Sequence, residues 1–189
     1  MAVRRVQDLS VGATPAGFRG RNKLIVQLWY LVQATLFHLS PHFMTGWRRL
    51  LVRAFGGKVG KHVIFRPSAT LTYPWNISVG DYSYIGDEVV LYSLDRIDIG
   101  AHVSVSYRAF LCTGTHDPRD PRFPLVIQPI RVDNEAWIAA DAFVAPGVHI
   151  GTGAVLAARS TALKDIPAYE MQAGTPAKSI GTRANAGSI

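Results

Sequence analysis

The sequence predicts a mainly β protein built as a parallel β-helix, and three observations carry that expectation. Residues 132–162 place an apolar side chain at every sixth position without a miss: Val132, Ile138, Val144, Ile150, Leu156 and Ala162. A helix returns its face about every 3.6 residues and a strand every two, so a fixed period of six requires stacked, near-identical turns of backbone. Small residues recur beside that row: Ala139, Ala145, Gly151 and Ala157 one position later, and Ala142, Val148, Ala154 and Ser160 four positions later. The same period runs upstream in three segments, each reset by two residues: Val59, Phe65, Leu71, Ile77; then Val79, Ile85, Leu91, Ile97; then Ile99, Val105, Leu111. Gly60, Gly80, Gly86 and Gly100 follow four of these apolar residues.

Taken from the N-terminus, residues 1–57 form a basic arm and an amphipathic helical segment, with 1–18 expected to be a mobile arm and 19–57 helical. The net charge of +7 is concentrated here, since residues 1–66 hold eleven Lys and Arg against Asp8 alone. The longest apolar run, Leu24 to Phe37 (LIVQLWYLVQATLF), is interrupted by Gln27 and Gln33 and is shorter than the roughly 20 residues a membrane-spanning helix needs. On a helical wheel Lys23, Gln27, Tyr30 and His38 fall near one side and leave a broad apolar face. A second short helix would turn Trp47, Leu50, Leu51 and Ala54 inward and Arg48, Arg49 and Arg53 outward. An apolar face with a basic fringe suits a helix lying in the interface of an anionic bilayer. The alternative is that these helices pack on the β-helix or on a neighbouring subunit, capping the first coil as repeat arrays require. No small-residue cleavage site follows the apolar run, which argues against a cleaved signal peptide. No base-reading motif accompanies the charges, which argues against nucleic acid.

Residues 58–113 are the first coils of a β-helix spanning 58–166. At three strands and about eighteen residues per turn, the chain holds about five coils. Between 114 and 129 (GTHDPRDPRFPLVIQP) the period vanishes and four prolines appear. An irregular stretch of that length inside a compact repeat is usually functional or disordered. The period resumes at 130 and ends near Leu163, leaving 167–189 as a C-terminal extension. The single cysteine, Cys112, forbids an intrachain disulfide, suits a reducing compartment such as the cytoplasm, and reads as a buried filler. His62, His102 and His149 lie on repeat turns and read as surface groups.

With the hexads, the looped-out His116 and the closing Ala173-Gly174-Thr175-Pro176-Ala177-Lys178 in view, the chain resembles the hexapeptide-repeat acyltransferase superfamily, whose β-helix is left-handed. Its closest likeness is to the colanic acid biosynthesis O-acetyltransferases. The segments that carry the likeness are VQLWYLVQATLF, RPSATLTYPWNISVGDYSYIGDEVVLYSL, FLCTGTHD, FVAPGVHIG and AGTPAK, spread from about Arg19 to about Ile180. The resemblance implies acetyl transfer from acetyl-CoA to a sugar hydroxyl in exopolysaccharide synthesis, without a metal. It also implies a homotrimer with active sites between adjacent subunits.

The family's histidine falls on His116. A hydroxyl is a poor nucleophile at neutral pH, and an imidazole within hydrogen-bond reach can take its proton. Asp117 is a candidate to orient the ring. Asp95, with Asp87 and Glu88 behind it, are candidates to hold the base or the sugar. The resemblance carries the coenzyme site to Trp137, Ala139, Ala140, Ala158, Lys164 and Lys178, with Arg183 as a second basic group beyond Lys178. Small residues would let the pantetheine arm approach the backbone, and the lysines would face phosphate. The Ala139-Ala140 turn is the candidate oxyanion donor. Ala139 and Ala157 stand where the superfamily often has glycine, and Leu163 where it often has threonine.

Three competing readings share the fold. A zinc-dependent γ-type carbonic anhydrase needs three converging histidines, including a pair five residues apart that His62, His102, His116 and His149 do not supply. A β-helical scaffold would have no use for His116, the proline-rich loop or the C-terminal lysines. Within the enzyme class, a broad small-molecule hydroxyl acetyltransferase is the runner-up. The basic, apolar N-terminal third favours a lipid-linked acceptor at the inner face of the cytoplasmic membrane.

Overall fold

The computed structural model describes residues 6–11 and 14–183; the rest of the expected arm and of the C-terminal extension lies outside the described residues. The repeats form three parallel sheets. The first stacks Lys58–Val59, Ile77–Val79, Ile97–Ile99, Ile130–Val132 and His149–Ile150, with Ile166 bridged to Ile150. The second stacks Ile64–Phe65, Tyr84–Ile85, Ser104–Val105, Trp137–Ile138, Val155–Leu156 and Glu170–Ala173. The third stacks Thr70–Leu71, Val90–Tyr92, Phe110–Cys112, Phe143–Val144 and Thr161–Ala162. That makes five full coils and the start of a sixth, closed by Lys178–Thr182 pairing antiparallel to Glu170–Ala173.

The six-residue period is the geometry of one side of this prism. Each side contributes a strand of two or three residues whose period member points inward, then a corner. Register places each period member over its equivalent one coil on: Ile85 pairs with Val105, Leu91 with Leu111, Val132 with Ile150. Phe65, Leu71, Ile85, Leu91, Ile97, Leu111 and Ile138 are completely buried in the resulting column. Corner residues three places after the period member adopt the left-handed conformation, including His62, Tyr82, His102, Glu135, Asp141 and Arg159. The glycines have a steric reason. A Cβ on Gly80 would lie 2.5 Å from the Ala101 amide nitrogen of the next coil.

Both phase resets, and the long interruption, occur at the same corner, between the third sheet and the first. Pro74–Asn76 forms a 3-10 turn there, residues 93–96 bulge there one coil later, and residues 113–129 leave the prism there in the next coil. The strands that follow are three residues long and point both ends inward, as Ile77 with Val79 and Ile97 with Ile99 show. A two-residue slip therefore keeps the core filled.

The N-terminal segment caps the first coil. Helix α1 (Lys23–Val32) begins with Asn22 accepting from the Ile25 amide and runs on into a π-helical turn, Gln33–Phe37; helix α2 covers Thr45–Ala54. The first coil's carbonyls would otherwise face nothing. They are met by Trp29 Nε1 on Leu71 O (2.8 Å), Arg48 Nε on Phe65 O (2.6 Å), Arg49 Nη1 on Val63 O (2.8 Å) and Arg53 Nη2 on Val59 O (2.7 Å). Gln33 Oε1 accepts from the Leu71 amide at 2.7 Å. This corrects the expectation for Arg48 and Arg49, which turn onto the first coil, whereas Arg53 stays exposed while bonding it; Leu50 and Ala54, expected inward beside Trp47 and Leu51, are exposed. Arg48 is completely buried and also donates to Ser40 Oγ, Pro41 O and His42 O. A guanidinium fork can satisfy several diverging carbonyls at once, which the unpaired edge of a β-helix presents. Of the two alternatives for this segment, packing on the β-helix is what the structure shows. The opposite face of α1 and the turn after it still expose Leu24, Leu28, Leu31, Leu39 and Phe43.

The described part of the arm lies against the body. The Asp8 amide donates to Pro121 O at 2.7 Å, and Phe18 packs with Val26, Tyr73 and Leu94.

Candidate active site

The interruption is a β-hairpin, where an irregular loop was expected. Gly114–His116 pairs antiparallel with Leu125–Ile127, placing His116 opposite Leu125. Thr113 anchors its root: its hydroxyl donates to Tyr92 O at 2.6 Å and accepts from the Asp95 amide at 3.0 Å. The tip is tied by the Asp117 amide to Pro124 O, and by Asp120 bonded to the amide and guanidinium of Arg122.

His116 stands exposed on this hairpin with one ring nitrogen engaged. Nδ1 lies 2.8 Å from the carbonyl oxygen of Phe123, and the two rings stack 4.2 Å apart with planes 5° from parallel. A carbonyl only accepts, so the bond requires the proton on Nδ1 and leaves the Nε2 lone pair free. Phe123 takes a left-handed backbone conformation (φ 50°) at the hairpin's turn. Sequence reasoning missed Phe123, because a backbone carbonyl seven residues away leaves no signature in residue type.

The expected orienting role of Asp117 is not what the geometry shows. Its carboxylate accepts from the Arg119 amide at 2.9 Å, within its own turn, while Phe123 O holds the imidazole. Asp95 does lie on the corner from which the hairpin springs, one coil earlier, with its Oδ1 on the Arg96 amide. Asp87 and Glu88 lie at a different corner, between the second and third sheets, and the structure does not bring them to His116 within the chain. Asp87 is bonded to Arg66 Nε at 2.7 Å and Ser68 Oγ at 2.8 Å, and Glu88 accepts from the Tyr107 hydroxyl at 3.3 Å. Burial opposes the charge on Asp87, but the bonds from Ser68 and Arg66 outweigh it and hold its carboxyl below the usual carboxylate value.

The residues expected at the coenzyme lie on another side of the prism. Trp137 is in the second sheet, half-exposed, with its indole nitrogen donating to Ser106 Oγ at 2.9 Å. Ala140 and Ala158 occupy equivalent positions in successive coils, joined by the Arg159 amide on Ala140 O. Ala139 is buried and its amide already donates to Leu156 O, so Ala140 is the member of that pair left as a candidate oxyanion donor. Lys164 and Lys178 are exposed, and Arg183 Nη1 donates to Glu135 O at 2.9 Å. Within one chain His116 therefore hangs from one corner while Trp137, Ala140 and Ala158 follow another face.

Two clefts meet at His116. One is bordered by Leu9, Val11, Arg122 and Phe123, the other by Phe18, Tyr30, Tyr73, Tyr92 and Leu94; both share Thr14, His116 and Leu125. These residues come from the arm, α1, two coils and the hairpin, which is why no local motif announces them. Burial, reinforced by the neighbouring Tyr30, pushes the Tyr73 phenol up to about 12, and burial also raises that of Tyr92.

The histidines on the repeat turns lie at the surface, while His38 Nε2 lies 3.1 Å from Ala69 O of the first coil. His62 and His102 stack on either side of Tyr82 at 4.9 and 5.2 Å, and His149 Nε2 bonds Asp133 at 2.8 Å. Burial raises the Cys112 thiol above its usual value, in keeping with a filler. Among the described residues no three His, Cys, Asp or Glu side chains converge as a metal site, and no helix is long and apolar enough to cross a membrane.

Comparison with known proteins agrees with this layout. No family model matches the sequence. A hexapeptide-repeat acetyltransferase of Vibrio cholerae, solved with acetyl coenzyme A, superposes with a TM-score of 0.80 at 23% identity, over 86% of this chain and 89% of that one. A galactoside acetyltransferase solved with coenzyme A gives 0.78 at 23% identity, over 90% and 84%. At that identity the likeness establishes the fold. The WcaF protein of Escherichia coli (strain K12), which carries a provisional assignment as a colanic acid biosynthesis acetyltransferase, is 48% identical over 178 residues, 94% of this chain and 98% of that protein. With an end-to-end match of that depth, the chain belongs to the WcaF family of colanic acid biosynthesis acetyltransferases.

Proposed function

We propose that the chain transfers the acetyl group of acetyl-CoA directly to a saccharide hydroxyl, as a step in exopolysaccharide synthesis, with His116 as general base. The observation that carries this reading is the Nδ1 to Phe123 O hydrogen bond, which presents a free Nε2 beside two clefts. Nε2 takes the proton of the acceptor hydroxyl as its oxygen attacks the thioester carbonyl. The C–S bond then breaks, and the coenzyme thiolate leaves with the proton returned from the imidazolium. In this reading the Ala140 amide, from a neighbouring copy, steadies the developing oxyanion.

Half-exposed Trp137 and the small side chains of Ala140 and Ala158 suit a pantetheine arm lying along the backbone, and exposed Lys164 and Lys178 suit its phosphates. Arg183, engaged with Glu135 O, borders the same end. Because these groups and His116 lie on different sides of one prism, a complete site draws them from two copies, which supports a homotrimer with its sites between subunits.

The exposed leucines of α1 support a further part of the reading, contact with an anionic membrane surface that carries a lipid-linked acceptor. No Asp or Glu stands between Asp8 and Asp81, and Arg19, Arg21 and Lys23 flank the leucine face.

The test is transfer of labelled acetyl from acetyl-CoA to lipid-linked and free glycans. His116→Ala should lose roughly 10²- to 10⁴-fold in kcat while coenzyme A still raises its melting temperature. Retention of full activity in that variant would overturn the reading.

A further inference from the structure

The larger of the two clefts at His116, about 250 Å³, is unusual in what it lacks. Phe18, Tyr30, Tyr73, Tyr92, Leu94 and Leu125 form its walls beside Thr14, Thr72 and His116, and among the described residues no Lys, Arg, Asp or Glu lines it. Its aromatic members are fixed from outside the cleft. Tyr73 stacks on Trp75 at 5.1 Å and 13°, and Tyr92 meets Phe110 edge-on at 6.1 Å. Phe18, Val26, Tyr73 and Leu94 form one packed cluster that ties the arm, α1 and two coils together. Burial raises the Tyr73 and Tyr92 phenols above their usual value, and the Tyr73 hydroxyl is hydrogen-bonded to Tyr30.

A rigid aromatic box with phenol hydroxyls and no fixed charge recognises a ring that offers C–H groups on its faces and hydroxyls at its edge. A carboxylate brought into it would lose its water and find no Lys or Arg among the described lining residues. From this geometry we infer that the cleft is the acceptor subsite, and that it takes a neutral pyranose ring and rejects a uronic acid. Phe18, Tyr30, Tyr73 and Tyr92 are its specificity-determining residues. The inference rests on the His116 reading for its catalytic meaning, while binding of the ring is carried by the aromatic walls.

The experiment compares methyl glucopyranoside and methyl galactopyranoside with methyl glucuronoside, on the full chain in its solution assembly. Binding is read by ligand-observed NMR without coenzyme, and acceptor KM by labelled acetyl transfer. The neutral glycosides should bind and the glucuronoside should bind at least about tenfold more weakly. Tyr30→Leu and Phe18→Ala, both at partly exposed positions that leave the β-helix core untouched, should each raise the acceptor KM by about tenfold. The acetyl-CoA KM should stay unchanged. His116→Ala should still bind the neutral glycosides, so failure of the base assignment and failure of the subsite are read separately. Equal binding of the glucuronoside, or an acceptor KM that neither variant moves, overturns the subsite.

Discussion

The imidazole of His116 and the carbonyl of Phe123, seven residues apart across the tip of one hairpin, are joined by a 2.8 Å hydrogen bond under stacked rings. The bond settles which nitrogen carries the proton, and the stack fixes the plane in which the other one points. In a catalytic triad a carboxylate performs both tasks. Here a backbone carbonyl performs the first and an aromatic ring the second, so the His116 ring is held without a carboxylate.

Removing the ring while keeping the carbonyl separates those tasks. Phe123→Ala should lower kcat by about tenfold, the scale of a misaligned reacting group, and leave the acetyl-CoA KM unchanged. Steady-state kinetics check it, and Phe123→Tyr, which keeps the stack, should restore the rate.

Arg48 should prove structural. It is fully buried and serves four oxygen acceptors on the first coil and the turn before α2. Arg48→Met should destabilise the fold by about 3 kcal/mol, since several buried carbonyls lose a charged donor. Arg48→Lys should recover little, because a single ammonium cannot reproduce the fork. Chemical denaturation measures both.

Asp87, expected near the acceptor, is bonded to Arg66 and Ser68. Asp87→Asn should leave the acceptor KM unchanged and cost about 0.5–1 kcal/mol of stability, as a partly exposed pair does. Since the folded carboxyl titrates below its usual value, that contribution is complete at neutral pH and is lost as pH falls through the folded value. Denaturation curves of the two proteins should therefore converge in strong acid.

Ala158 offers the least ambiguous test of the coenzyme path, being exposed and outside the core. Ala158→Leu should raise the acetyl-CoA KM by about tenfold or more by blocking close approach to the backbone, with the melting temperature unchanged.

The leucine face predicts vesicle binding. Leu24→Ser, Leu28→Ser and Leu31→Ser combined should weaken partitioning onto anionic phospholipid vesicles by about a hundredfold, each half-inserted leucine contributing roughly 1 kcal/mol. Sedimentation with vesicles reads this, and a neutral vesicle control separates the apolar from the charged part.

The fold was legible because its core column is written one residue in six. Val132 through Ala162, and the reset rows above them, are the residues that fill the prism. Even the two-residue slips had structural content, falling at the corner that later releases the hairpin. Residue type was less informative where backbone was the partner. The outward reading of Arg48 and Arg49 failed because a helical wheel cannot see an unpaired β-helix edge waiting beneath it. Asp117 was a sequence neighbour of His116 with a turn of its own to hold. The aromatic cleft was invisible because Phe18, Tyr30, Tyr73 and Tyr92 meet only after the arm and α1 fold onto the coils.

The most direct test of the assignment of His116 is a long-range proton–nitrogen NMR correlation on its ring, in the full-length protein at mildly alkaline pH. Phe123 as the Nδ1 partner predicts a neutral ring protonated at Nδ1, with Nε2 showing the shift of an unprotonated nitrogen. A ring protonated at Nε2 would contradict it, because the nitrogen facing the acceptor would then have no lone pair with which to take a proton.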